Sequence, residues 1–93
     1  MIICEVGLNH LGSEKYSLEY VTELCKTDCD AITYQIREKS FYKGEFSDYT
    51  LSDSHYQEII KICKKNNKLF GFALADKSKI DWCVNLGADL NRS

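Results

Sequence analysis

Glu5 is a carboxylate inside the apolar run of residues 2–8 (Ile-Ile-Cys-Glu-Val-Gly-Leu). A charge in such a run is costly to bury unless it is paired or used. It reads either as an inward carboxylate hydrogen-bonded to a neighbouring strand or as a functional acid, and Thr33 and Gln35 fall on the same strand face as companions for either role. Asn9-His10, followed by Gly12, is equally a polar pair presented to a site or a turn whose Asn bonds its own backbone. His55 lies in the first turn of a helix and reads as a solvated surface residue without a role. The stretch 37–50, with Arg37, Lys39, Tyr42 and Lys43, reads as a long loop rather than a lid. A Gly-rich phosphate loop, a nucleophile elbow and metal-ligand spacings are absent from the sequence.

The elements that hold these residues follow from periodicity. Residues 2–8 are too short an apolar run for a helix and end in turn formers, so they form a strand. Ser13 caps a helix with Glu14 in its first turn and Leu18, Val21, Leu24 and Cys25 on one face. Residues 31–36, rich in β-branched and aromatic side chains, form a second strand. Leu51-Ser52-Asp53 opens a second helix, with Tyr56, Ile59, Ile60 and Cys63 inward and Lys64-Lys65 at its C-terminal end. A third strand spans 69–75. Asp76 or Ser78 starts a third helix with Ile80, Cys83 and Val84 inward, Gly87 stops it, and residues 88–91 begin a fourth strand.

Strands alternating with helices imply right-handed crossovers and a parallel α/β sheet. Side-chain parity then chooses the kind of sheet. One face carries Ile2, Cys4, Val6, Ile32, Tyr34, Ile36, Phe70, Phe72 and Leu74; the other carries Ile3, Glu5, Gly7, Thr33, Gln35, Gly71, Ala73 and Ala75. A doubly wound sheet is apolar on both faces. A (β/α)8 TIM barrel covers one face with helices and can keep the other polar near its mouth. A whole barrel takes about 250 residues, so the 93 residues are expected to supply three βα units and the start of a fourth strand, a partial barrel forming one incomplete domain over 1–93.

Composition narrows the partners. Twelve Lys and Arg against 14 Asp and Glu give a formal charge of −2, with 44% hydrophobic and 28% charged residues. No broad basic surface exists, so neither nucleic acid nor an anionic membrane is the expected partner. No signal peptide or membrane span is read in the chain. Five cysteines in odd number, without a C-x-x-C pair, read as reduced, buried small hydrophobes of a cytoplasmic protein.

The opening Ile2-Ile3-Cys4-Glu5-Val6-Gly7-Leu8-Asn9-His10-Leu11-Gly12 resembles the E-[IV]-G-x-N-H-x-G strand and loop of the N-acetylneuraminate (sialic acid) synthase family. Asp30-Ala31-Ile32-Thr33-Tyr34-Gln35 is similar to that family's second strand, D-A-V-K-F-Q. Residues 51–65 resemble its following helix, residues 70–76 its F-x-S-T-P-F-D stretch, and Leu86-Gly87-Ala88-Asp89 its approach to strand four. The resemblance implies a condensation of phosphoenolpyruvate with N-acetylmannosamine or a related amino sugar to a nonulosonic acid. It also implies a divalent metal, manganese, acting as Lewis acid.

On this resemblance Glu5 is the catalytic acid, Gln35 contacts the sugar, and Asn9 and His10 frame the substrate site. Thr33 stands where the family has a phosphoenolpyruvate-binding lysine, Phe72-Ala73-Leu74 where it has S-T-P, and Arg92 where it has the lysine of strand four. The family's metal-binding histidines, later strands and C-terminal antifreeze-like domain have no counterpart in these residues. The expected partners are the small-molecule substrates and either further copies of the chain or the remainder of the barrel. The alternative is a catalytically inactive remnant or interaction module that completes its sheet by association.

Overall fold

Runs of β-branched and aromatic residues too short for a helix form strands here, and each capped amphipathic segment between them carries the chain back to the start of the next. The computed structural model describes residues 1–37, 42–43, 49–75 and 77–92. Its elements are β1 (Ile3–Gly7), α1 (Glu14–Leu24), β2 (Ala31–Ile36), α2 (Asp53–Lys65), β3 (Leu69–Leu74), a 3-10 turn (Lys77–Lys79), α3 (Ile80–Leu86) and β4 (Leu90–Arg92). The strands pair in the order β1-β2-β3-β4, all parallel. Sheet order equal to chain order means that every crossover steps the same way, so right-handed connections put all the helices on one face. This is a barrel-type winding, not a doubly wound one.

The helix-covered face is the bulky one. Val6, Ile32, Tyr34, Ile36, Phe70, Phe72 and Leu74 are buried beneath Val21, Tyr56, Ile59, Ile60, Cys63 and Cys83. The opposite face follows the register Glu5↔Thr33↔Gly71↔Leu90, with Gln35↔Ala73↔Arg92 as its next row. Gly71 is required there because a Cβ would lie 2.4 Å from the Leu90 carbonyl oxygen. A side chain at that point would push β4 off the sheet.

The caps act as the residue types dictate. Ser13 Oγ accepts the Tyr16 N–H at 3.2 Å, and Ser52 Oγ accepts the His55 N–H at 3.2 Å. Gly87 ends α3 at φ +94°, a left-handed stop that suits glycine. Between β2 and α2, the Arg37 N–H donates to the Tyr42 hydroxyl at 3.0 Å; Lys39 lies outside the described residues.

The third helix departs from expectation. Asp76 lies outside the described residues, and α3 begins instead from the 3-10 turn, with Lys79 at the cap position and no side-chain cap bond. Ile80 and Val84, expected inward, are 43% and 58% exposed. Trp82 has turned the helix. Its ring packs on Tyr56 at 5.6 Å and Phe72 at 5.2 Å, and its indole N–H donates to Asp53 Oδ1 at 3.0 Å. One tryptophan with an apolar body and a satisfied N–H outweighs two aliphatic side chains on a seven-residue helix.

All five cysteines are free thiols, with Cys29, Cys63 and Cys83 buried. Burial pushes the Cys63 thiol up to about 12 and that of Cys83 up to about 11. The thiolate is the reactive form. In the native chain at pH 8, both are expected to resist a disulfide reagent that modifies them at once in urea, and rapid native modification of Cys63 would refute its burial.

Candidate functional site

The residues singled out in the sequence divide between two places. Glu5, Thr33 and Gln35 belong to the face that the helices leave uncovered, in two adjacent rows set by the register, and Arg92 pairs with Ala73 at the end of the second row. Glu5 is exposed, Thr33 is buried and Gln35 is half-buried. A carboxylate, a hydroxyl and a carboxamide therefore share one face of β1 and β2, with acceptors and donors suited to a hydroxylated ligand.

Asn9 and His10 are carried elsewhere. The β1–β2 register shifts between Glu5 and Gly7, Gly7 has φ +60°, and Leu11 and Gly12 are also left-handed at φ 55° and 78°. This bulge and turn re-aim the chain. Asn9, exposed, lines a shallow groove with Leu11, Tyr16 and Tyr20 on the flank of α1, and its N–H donates to the Val6 carbonyl at 3.0 Å. His10 is 0% exposed on the helix-covered face, its ring stacked on Tyr34 at 5.7 Å. The Gly12 N–H donates to His10 Nδ1 at 2.9 Å, which places the neutral ring's proton on Nε2. Among the described residues Nε2 has no hydrogen-bond partner.

His55, expected to be solvated, is instead 3% exposed and is corrected to a core residue. It sits four residues before Ile59 on the apolar stripe of α2, a spacing that directs it inward. His55 Nε2 lies 2.8 Å from Ser17 Oγ, and Ser17 Oγ is hydrogen-bonded to the Tyr34 hydroxyl. His55 Nδ1 faces Glu14 Oε1 at 4.0 Å, while Ser52 Oγ donates to Glu14 Oε2 at 2.9 Å. Carboxylate, imidazole and hydroxyl in that order resemble the wiring of an activated serine. Ser17 is 0% exposed and already shared with Tyr34, so no electrophile reaches it. The cluster clamps α1, α2 and β2 together.

Burial holds both imidazoles below their usual range. That of His10 falls to about 4, first by burial and then by the facing His55. Burial lowers that of His55, opposed by Glu14 and Glu58. Among the described residues, no three His, Cys, Asp or Glu side chains converge on a point that could hold a metal ion. The manganese implied by the resemblance finds no fitting ligand set among these residues.

Comparison with solved structures places this geometry. No known family profile and no curated protein matches the sequence. The N-acetylneuraminic acid (sialic acid) synthetase of Leptospira borgpetersenii serovar Hardjo-bovis, solved with citrate, superposes on 97% of the chain with a TM-score of 0.82 at 22% identity. The chain shares the fold of a part of that synthetase. The Bacillus subtilis spore coat polysaccharide biosynthesis protein spsE matches 98% of it with a TM-score of 0.76 at 16% identity. These matches cover 34% and 28% of the two solved chains, so the chain spans about a third of their length. Among its described residues no helix is long and apolar enough to cross a membrane.

Proposed function

We propose that the chain belongs to the sialic acid synthase family and supplies the first four strands of its barrel. In that reading the uncovered row takes part in joining phosphoenolpyruvate to N-acetylmannosamine or a related amino sugar. The observation that carries this reading is the register of Glu5 with Thr33, and of Gln35 with Ala73 and Arg92, on the uncovered face of a sheet wound as in the synthetase. Glu5 acts as the acid beside the reacting groups and Gln35 binds the sugar. Thr33 offers a hydroxyl where a cation would neutralise phosphoenolpyruvate, and Arg92 supplies charge as a planar fork. Asn9 flanks the mouth, and His10, buried, positions the turn rather than touching substrate.

Because most of a barrel's ligand groups lie on other strands, the chain by itself is expected to bind and not to turn over. Titrating N-acetylmannosamine into isotope-labelled protein is expected to move the amide signals of Thr33, Gln35 and Ala73. With phosphoenolpyruvate and manganese added, no phosphate is expected to be released. Shifts confined to the helix face would overturn the assignment of the row, and phosphate release that tracks product formation would overturn the partial site.

A second reading, an interaction module that completes its sheet by association, is favoured by where the exposed apolar side chains lie. Ile2 and Ile3 at the β1 edge, with Leu11, Tyr16 and Tyr20 beside α1, occupy one flank. Ile80 and Val84 occupy the outer side of α3. Among the described residues both flanks border strands with an unpaired edge. Light scattering is expected to give a mass above 10.7 kDa, and Val84→Glu to return it to the monomer; a monomeric parent chain would dismiss this reading.

A further inference from the structure

The turn between β1 and α1 is fixed at both ends and pinned once in the middle. β1 is held by its pairing with β2, and the start of α1 is tied to α2 by the Ser52–Glu14 hydrogen bond at 2.9 Å. Among residues 8–12, all of them described, His10 is the one that is buried. The Asn9 N–H ties the turn to the Val6 carbonyl at 3.0 Å, while the Leu11 N–H donates to the Leu8 carbonyl at 3.1 Å and the Gly12 N–H to His10 Nδ1 at 2.9 Å, both within the turn itself. Gly7 and Gly12, at φ +60° and +78°, bracket the segment, and Leu11 is held at φ 55°, a left-handed conformation that a leucine disfavours. A strained segment fastened to the core by a single ring has two states available to it, docked and released.

A proton decides between them. The groups that face the His10 ring are Tyr34 of β2, stacked at 5.7 Å, and His55 of α2, whose Nδ1 lies 4.0 Å from Glu14 Oε1 of α1. Burial and the facing His55 keep the docked ring neutral down to about 4, whereas a released histidine takes up its proton near pH 6.5. Protonation puts a donor on Nδ1, where the Gly12 N–H needs an acceptor.

We infer that this turn is an acid-operated latch: a proton on His10 withdraws the ring from the core and swings residues 8–12 outward about Gly7 and Gly12, while the sheet and helices stay in place. The inference is independent of the proposed synthase chemistry. Release takes up one proton, so the ratio of released to docked turn rises about tenfold per pH unit below about 6.5 and about 300-fold in all once the pH is under about 4.

Amide hydrogen exchange of the chain, corrected for the intrinsic rate at each pH, tests the latch. The Asn9 and Gly12 amides are expected to be protected far less than that of Ile32 in the sheet, and their protection to fall about tenfold per pH unit between about pH 6 and 4.5. In His10→Phe, which keeps a ring and removes the titration, the fall at Asn9 is expected to vanish. Protection equal to that of Ile32 at every pH would mean that the turn opens only with the whole fold. A value that does not change with pH in the parent chain, or an undiminished fall in His10→Phe, would mean that His10 does not control the turn. Each of these results would overturn the latch.

Discussion

Phe72→Ala is expected to destabilise the chain by about 3–5 kcal/mol, the range for truncating a fully buried aromatic. Phe72 is 1% exposed and joins three elements. Its ring lies 5.2 Å from Tyr56 on α2, 5.0 Å from Phe70 on its own strand and 5.2 Å from Trp82 on α3. The contacts to Tyr56 and Phe70 are edge-on, at 76° and 88°, an arrangement that adds to plain area burial. Removing the ring leaves a cavity that short, multiply constrained elements collapse into poorly. For a chain of 93 residues, total stability is on the order of 5–14 kcal/mol, so this one change takes a large share of it. Leu69→Ala in the same strand, at 37% exposure, is expected to cost under about 1 kcal/mol. Urea melts of the two variants check the contrast, and similar midpoints would mean that the aromatic cluster is not the centre of the fold.

The same cluster explains which parts of the fold were legible in the sequence. Strand and helix order, the Ser13 cap, the opening of α2 at residues 51–53 and the division of Thr33 from Tyr34 across the sheet follow from local sequence signals, which need no partner to be read. The face of α3 does not. Ile80 and Val84 fit a helical stripe, but Trp82 and the preceding 3-10 turn reset the helix's rotation. His55 and Ser17 were hidden because polar residues on an apolar stripe look like its edge until a partner is known. Each sits four residues before a buried aliphatic, Ile59 and Val21, and that spacing was the available signal. For the candidate site, parity was enough to collect Glu5, Thr33 and Gln35 on one face. The displacement of His10 was not readable, since it depends on left-handed backbone at Gly7, Leu11 and Gly12, and leucine gives no warning of such a conformation.

Acid is expected to weaken the chain from about pH 6.5 downward, through the buried imidazoles. In the unfolded chain a histidine takes up its proton near pH 6.5. In the fold His10 holds off protonation until about 4, because charging it would bury a cation beside His55 and turn Nδ1, the acceptor of the Gly12 N–H, into a donor. Between those values the unfolded state binds more protons than the folded one, so the free energy of unfolding falls as pH falls. The stabilisation is complete above about pH 6.5 and gone by about pH 4, and His10 alone accounts for about 3 kcal/mol of it. His55 acts in the same direction, softened by Glu14 and Glu58. His10→Phe keeps a ring against Tyr34 and removes the titration. Its stability is expected to vary less between pH 6.5 and 4, with about 1 kcal/mol lost at pH 7 for the Gly12 N–H left without its acceptor. Stability measured by urea at each pH decides the matter. Parallel curves for the parent and His10→Phe chains would assign the acid sensitivity to other groups and contradict a neutral His10 in the core.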